Sequence, residues 1–141
     1  MTDLAASPLP ADLPEGDLPV SLRELYLYPV KSCRGQKADS ALVLETGFEF
    51  DRFWVLVDPE GVHITQRTEP RLVLVTTQFR HGQLVLRAPG MLTLHIELDQ
   101  VAAETPTLVK VWSDEISAYD MGLLAQQWFS DYLGRPEVVD R

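Results

Sequence analysis

The fold of this chain depends on three blocks of sequence, LYLYPVKSCRG (25–35), GFEFDRFW (47–54) and TQRTEPR (65–71). Each block lies where a short apolar run meets a corner that carries a cation or a hydroxyl. Pro29 lacks the hydrogen-bond donor that a strand needs and restricts Tyr28 to an extended conformation, so the first strand ends there. Short strands separated by such corners are typical of a mainly β domain.

Apolar periodicity predicts eight or nine strands along the chain. They cover residues 20–28, 41–44, 53–57, 62–66, 73–79, 83–88, 92–98, 107–112 and 116–119. Residues 58–61 have the composition of a type I turn. Residues 80–82 predict a three-residue hairpin loop with Gly82 in the left-handed conformation. Alternation within 92–98 places His95 on the solvent-facing side of its strand.

The apolar spacing changes to three and four near the C-terminus, which predicts one α-helix over residues 121–133. Asp120 is the predicted N-cap, and Gly134 is the predicted left-handed residue after the last turn. The strands and this C-terminal helix together predict a β-barrel-like domain over residues 20–141. Residues 1–19 contain four prolines, four acidic residues and no lysine or arginine, so we expect a flexible acidic tail there.

Composition excludes several classes of function. The chain of 141 residues has the length of one domain, and its net charge of −9 argues against binding to nucleic acid. No apolar stretch is long enough to cross a bilayer, and the N-terminus lacks the features of a secretory signal. We therefore expect no membrane association and a cytoplasmic location. A single cysteine excludes an internal disulfide.

The basic residues are unevenly distributed. Residues 31–87 hold eight of the twelve basic and seven of the 21 acidic residues, so this window carries +1 and the rest of the chain −10. Cations retained in an acidic protein are what an anion site needs, although ordinary solvated surface at strand ends would give the same count. If the barrel brings its corners to one rim, the candidates for binding a phosphate or another anion are Lys31, Ser32, Arg52, Arg67 and Arg71.

Other reactive side chains give weaker signals. Lys31 and Arg34 would favour a thiolate at Cys33, but no general base is recognisable, and a lone cysteine beside a strand end is typically a small packed side chain. The three histidines, His63, His81 and His95, lack the spacing of metal ligands. The aromatic residues Phe53, Trp54, Trp112, Trp128 and Phe129 are interpreted as core.

Several blocks, taken in order, resemble a known family. They are YPVKSC (28–33) with Gly35, DRFW (51–54) followed by a strand and Asp58 with Gly61, TQR (65–67), PRL (70–72), VW (111–112), YDMG (119–122) and QWF (127–129). They resemble the N-terminal β-barrel domain of MOSC proteins, which are related to the C-terminal domain of molybdenum cofactor sulfurase. The family includes the mitochondrial amidoxime-reducing components and their bacterial relatives. The resemblance covers about residues 20–135.

This resemblance implies a share in binding the molybdenum cofactor, a molybdopterin. It matches Lys31, Ser32 and Arg52 to positions that hold the anionic parts of the cofactor, and Arg67 and Arg71 to motif positions that we place near the same site. The metal-ligating cysteine of the family belongs to the downstream MOSC domain, and Cys33 does not match it. We therefore expect no metal ligand and no catalysis from this chain alone.

The resemblance also implies a partner, namely a MOSC domain in cis or in trans. With that domain, the system would be a molybdenum cofactor-dependent oxidoreductase or a sulfur-transfer system. The family often has an acidic residue after the glycine at 122, where this chain has Leu123. The chain stops at Arg141, and the sequence leaves open whether it is a fragment, a short protein or one part of a split pair. A non-catalytic remnant or protein-interaction barrel that binds no cofactor is the alternative.

Overall fold

The computed structural model describes residues 2–5, 15–16, 18–99, 105–135 and 138–140, and most of its regular elements are strands. The strands are β1 (Thr2–Ala5), β2 (Leu25–Leu27), β3 (Gln36–Ala38), β4 (Ser40–Leu44), β5 (Gly47–Phe48), β6 (Val55–Val57), β7 (Thr76–Arg80), β8 (Gln83–Arg87), β9 (Leu94–Glu97), β10 (Thr107–Val111), β11 (Asp114–Ala118) and β12 (Val138–Asp140). Pro70–Leu74 form a 3-10 helix, and Leu123–Leu133 form the α-helix α1. Neither of these helices in the described part of the chain is long and apolar enough to cross a membrane.

The strands pair in small antiparallel sheets. In the described residues the strand orders are β1-β4-β5, β2-β3, β6-β12, β7-β8-β9 and β10-β11. Isolated bridges connect further segments, pairing Val30 with Trp54, Val57 with His63 and Val62 with Lys110. The predicted mainly β architecture with one C-terminal helix is thereby confirmed.

The main core combines side chains of helix α1 with side chains of the strands. Trp54 and Phe129 are the largest fully buried side chains in it. In β9, Leu94 and Ile96 are buried and His95 is exposed, because a strand turns alternate side chains to opposite faces. The prediction that His95 faces solvent is therefore confirmed. The buried side chains of α1 are Ala125, Trp128, Phe129, Tyr132 and Leu133.

Several predicted strands are shorter than expected or absent, and three of them have identifiable causes. The strand predicted at 20–28 retains only β2, since the residues before it do not pack and Val20 is 79% exposed. Residues 62–66 form no strand, and only Val62 and His63 among them make isolated bridges. The strand predicted at 73–79 begins only at β7, because Pro70 supplies a helical φ and starts the 3-10 helix. The sequence does not predict β3, β5 or β12, which are two or three residues long.

The hairpin between β7 and β8 is tighter than predicted. Arg80 pairs directly with Gln83, so the loop has two residues and not three. His81 and Gly82 have φ values of 51° and 74°. Two consecutive positive φ angles are the geometry of a type I′ turn, which matches the right-handed twist of the flanking strands.

Helix α1 begins two residues later than predicted. The Asp120 side chain accepts hydrogen bonds from the Gly122 N–H (2.7 Å) and from Gln126 Nε2 (2.8 Å), so it braces the first turn from outside the cap position. Gly122 itself is the N-cap. Gly134 follows the last turn with φ 69°, which confirms the predicted left-handed end of the helix.

The N-terminal segment holds a strand that the sequence does not predict. Thr2–Ala5 pairs with β4, with Leu4 opposite Ala41, because the β4 edge that β5 leaves open can accept another strand. For these four residues the expected flexible tail is corrected. Most of the remaining residues of the segment 1–19 lie outside the described part of the chain, and the tail stays a prediction there.

Two leucines of α1 test how far this helix depends on core packing. Leu133 is buried in the main core and Leu123 is 81% exposed. We predict that Leu133→Ala lowers the free energy of unfolding by about 2–5 kcal/mol, because it leaves a cavity. Leu123→Ala is the matched control and should change it by less than about 0.5 kcal/mol. Urea denaturation of both variants measures the difference, and equal effects would contradict this account of the core.

Candidate functional site

Lys31 and Ser32 lie at a corner between two buried residues. Val30 and Cys33 are both 1% exposed, and the Cys33 N–H donates to the Val30 carbonyl (3.1 Å). The Lys31 N–H donates to the Trp54 carbonyl (2.8 Å). Ser32 has φ 73°, a left-handed conformation that a serine rarely adopts. The buried neighbours therefore hold a tight turn that leaves Lys31 and Ser32 partly exposed.

The loop at 65–69 is tied to this corner. The backbone N–H of Glu69 donates to the Thr65 carbonyl (2.9 Å), which closes a turn of the chain around Arg67. From this turn, Gln66 Nε2 donates to the Ser32 carbonyl (2.8 Å). The two loops are 34 positions apart in sequence, and this hydrogen bond holds Arg67 close to Lys31.

The indole ring of Trp112 contacts one cation from each of the two loops. The residue lies at the tip of the β10–β11 hairpin with φ 56° and is 59% exposed. Lys31 Nζ lies 5.2 Å, and Arg67 Cζ 5.5 Å, from the centroid of its indole ring. His63 meets the indole edge to face, with the centroids 4.7 Å apart and the planes at 82°. We call Lys31, His63, Arg67 and Trp112 the Trp112 cluster.

The electrostatics of the Trp112 cluster favour an anion. Partial burial lowers the pKa of Lys31. Burial, and then the positive charge of Lys31, lower the pKa of His63, so His63 is mostly neutral at neutral pH. Its Nδ1 is buried with no hydrogen-bond partner among the described residues. The cluster therefore presents two basic groups, the amine of Lys31 and the guanidinium of Arg67, on a protein of net charge −9.

Arg52, in the second sequence block, lines a separate groove. Its backbone N–H donates to the Tyr28 carbonyl (2.7 Å), which places it beside the strand that leads to Lys31. Its guanidinium pairs with Asp51 and lies 4.5 Å from the centroid of the Tyr28 ring. With Phe50 and Phe53 it lines a groove of about 690 Å³. Arg52 is thus close to the Lys31 corner in the backbone, while its side chain makes a separate set of contacts.

Arg71 forms a hydrogen bond with the C-terminal end of helix α1. Its guanidinium donates to the Tyr132 carbonyl and lies 5.0 Å from the centroid of the Tyr132 ring. In return, the Tyr132 hydroxyl donates to the Arg71 carbonyl (2.8 Å). A second link, the ion pair of Glu69 with Arg135 (2.9 Å), joins the same two segments. Of the five candidate residues, the structure brings Lys31, Ser32 and Arg67 together. It places the Arg52 backbone near Tyr28 but gives its side chain separate contacts, and it engages Arg71 at the end of α1.

Backbone strain is concentrated at these corners. In the described residues, five non-glycine positions have a left-handed φ. They are Ser32, Phe50, Arg52, His81 and Trp112. All but His81 belong to the candidate site or to the groove beside it. Such conformations are unfavourable and occur often at functional sites, where the surrounding structure enforces them.

Cys33 and the histidines do not form a reactive centre. Cys33 is buried, and this burial raises the pKa of its thiol. In the described residues, no group of three or more His, Cys, Asp or Glu side chains could hold a metal ion. The sequence analysis missed Trp112, which it assigned to the core. Trp112 precedes Ser113-Asp114 at the turn between two predicted strands. That position could have indicated that its side chain is exposed.

Comparison with known proteins gives the family. The MOSC N-terminal beta barrel domain model matches residues 20–136. The chain therefore belongs to this family, and the resemblance seen in its sequence blocks is confirmed.

Two relatives illustrate the match. Mitochondrial amidoxime reducing component 2 of Bos taurus is 37% identical over 117 residues, which cover 80% of this chain and 35% of the relative. Molybdenum cofactor sulfurase of Homo sapiens is 35% identical over 126 residues, which cover 86% of this chain and 14% of the relative. The match thus spans about a third of the first protein and about a seventh of the second.

A solved structure shows the same fold. It is the solution structure of a Bordetella bronchiseptica protein determined as a structural genomics target, and it superimposes with a TM-score of 0.53 at 28% identity. The superposition covers 71% of this chain and 86% of that one. Together with the family match, it confirms the predicted barrel-type domain.

The burial of Cys33 leads to a prediction about its reactivity. Because the thiol is 1% exposed and its pKa is raised, we expect the folded protein to react with a disulfide reagent far more slowly than the urea-denatured protein. Absorbance of the released thiolate follows both rates. Rapid labelling of the folded protein at mildly alkaline pH would contradict the assignment of Cys33 to the core.

The two arginines of the third block should differ in their effect on stability. Arg71→Ala removes the donor to the Tyr132 carbonyl, and we predict a loss of roughly 1–2 kcal/mol in the free energy of unfolding. Arg67→Ala removes only an exposed contact with Trp112 and should cost less than about 1 kcal/mol. Urea denaturation measures both, and a larger loss for Arg67→Ala would reverse the roles given to these residues.

Proposed function

We propose that this barrel contributes cations to the binding of the molybdenum cofactor, molybdopterin, in a site completed by a MOSC domain in cis or in trans. The observation that carries the proposal is the convergence of Lys31 and Arg67 on one indole beside the Ser32 corner. The left-handed residues of the same corners support it. The molybdenum cofactor sulfurases among the relatives support molybdopterin as the ligand.

The residues present fit the anionic part of such a cofactor. An ammonium, a guanidinium and a hydroxyl are all donors to phosphate oxygens, and a guanidinium can donate two parallel hydrogen bonds. None of these groups is a usual ligand for a molybdenum ion, so the barrel would hold the phosphate and leave the metal to its partner. When bound, the cofactor supplies the redox chemistry of molybdenum.

Each candidate residue has a distinct role in the proposed binding of the cofactor. Lys31 provides a partly buried positive charge, and a bound phosphate would raise its lowered pKa again. Arg67 provides the fork of donors, and Ser32 a neutral donor. Arg52 would add a third cation by sharing its guanidinium between Asp51 and the ligand. A direct role for Arg71 stays a prediction.

We further propose that the complete system is an oxidoreductase or a sulfur-transfer protein in which this domain is not catalytic by itself. The two classes of relative, amidoxime reducing components and molybdenum cofactor sulfurases, support these two possibilities. In either system the groove beside Arg52, with Phe50 and Phe53 on its wall, is suited to guide a substrate toward the cofactor.

A titration with molybdopterin tests the proposal. The chain is mixed with a separately produced MOSC domain, and cofactor binding is measured for the parent protein and for the Lys31→Ala, Arg52→Ala and Arg67→Ala variants. Loss of one charged hydrogen bond should weaken binding by about tenfold to a hundredfold for Lys31→Ala and Arg67→Ala, and by less for Arg52→Ala. Arg80→Ala, an exposed cation at the far end of β7, is the matched control. Parent-like binding by Lys31→Ala and Arg67→Ala would refute the proposal.

One observation favours a second candidate function, that of a protein-interaction barrel which binds no cofactor. Leu92, Leu123 and Leu124 are 88%, 81% and 72% exposed. Trp128 Nε1 donates to the Leu92 carbonyl (2.6 Å), which fixes Leu92 against helix α1 near Leu124. Exposed apolar patches of this kind often mark interaction sites. A folded protein that purifies without pterin and binds none in the titration would support this candidate.

A further inference from the structure

Trp112 combines two features that stability alone does not favour. It is a large aromatic residue that remains 59% exposed, and its backbone has a φ of 56°. A left-handed conformation is unfavourable for a bulky side chain, and little apolar burial offsets it here. The other two tryptophans, Trp54 and Trp128, are 0% and 7% exposed. Trp112 therefore differs from them in a way that suggests a role other than packing.

The position of the indole is supported from two sides. The His63 ring packs edge to face against it, and the backbone N–H of His63 donates to the Lys110 carbonyl (2.9 Å) on β10, the strand that leads to Trp112. On the other side, the hydrogen bond from Gln66 to the Ser32 carbonyl fixes the two loops that carry the cations. The ring is thus held in place, and the two cations meet it from separate loops.

We propose that Trp112 is a positioning residue of an anion site, and that its indole holds Lys31 and Arg67 as a pair before the ligand arrives. Lysine and arginine side chains lose much rotamer freedom on binding. Attraction to the same ring restrains both in advance, so less freedom remains to be lost when an anion binds. This inference rests on the proposed function only for the identity of the natural ligand.

The pair of cations defines the class of ligand. Two positive charges on one ring suit a group with two negative charges, such as a phosphate monoester or inorganic phosphate, better than a single carboxylate. The phosphate could be free or part of a larger ligand such as molybdopterin. Inorganic phosphate and molybdopterin are therefore separate arms of the test.

The first measurement uses the fluorescence of Trp112. Because the other two tryptophans are buried, collisional quenching reports mainly on this residue. We expect iodide, an anion, to quench it more strongly than caesium at equal ionic strength. This preference should diminish in Lys31→Ala and Arg67→Ala but persist in Arg80→Ala, and inorganic phosphate should protect the parent protein from iodide. Equal quenching by the two ions in the parent protein would overturn the inference.

The second measurement is the affinity for inorganic phosphate, followed by phosphorus NMR. We expect Trp112→Ala to weaken binding about tenfold although both cations remain, and Trp112→Phe to restore part of the loss because it keeps an aromatic face. Tyr26→Ala, which removes another exposed aromatic ring, is the control and should bind as the parent does. Circular dichroism checks that each variant is folded.

The outcomes separate this inference from the proposed function. If Trp112→Ala binds phosphate as well as the parent, or better, while Lys31→Ala and Arg67→Ala lose binding, the positioning role is wrong. If none of these variants changes phosphate affinity, the Trp112 cluster is not an anion site. If phosphate binding depends on Trp112 but molybdopterin does not bind even with a MOSC domain, the inference stands and the proposed function fails.

Discussion

The parallel bridge between Val30 and Trp54 is the interaction on which the candidate site depends. It pairs the segment that follows β2 and Pro29 with the segment that follows Asp51-Arg52, and both bridged side chains are almost completely buried. Because these side chains are buried, the chain leaves the core for the surface directly after Val30. Lys31 follows directly after Val30, so its side chain begins at the rim of the core. Loss of this pairing would separate the corner of the first block from that of the second.

The fold was largely predictable because its signals are local. The alternation in β9, the helical spacing in α1 and the left-handed Gly134 depend on neighbours in sequence, and each appears in the structure. The errors lie where a tertiary contact or a proline overrides such a pattern. Residues 62–66 have the composition of a strand, but only Val62 and His63 among them make isolated bridges, and Pro70 replaces the start of a predicted strand with a 3-10 helix.

The site was harder to predict because the two arginines of the third sequence block make contacts in different parts of the structure. Arg67 and Arg71 are four residues apart, yet Arg67 lies against Trp112 whereas Arg71 donates to the end of helix α1. No periodicity in the sequence distinguishes these directions, since the 3-10 helix that begins at Pro70 turns the chain between them. Trp112 was missed for a related reason: aromatic residues are usually buried, and only its place in a two-residue hairpin turn exposes it.

The contrast between these two arginines also bears on how an acidic domain can offer an anion site. A cation whose donors are used by a backbone carbonyl, as in Arg71, stabilises the fold and has little left for a ligand. A cation held against an aromatic face, as in Lys31 and Arg67, is restrained while its donors stay available, because a cation–π contact is electrostatic and does not require a hydrogen bond. The net charge of −9 then matters less than the way in which these few cations are held. In this chain the convergence of two cations on one aromatic ring, rather than the number of basic residues, distinguishes a candidate binding surface from solvated surface charge.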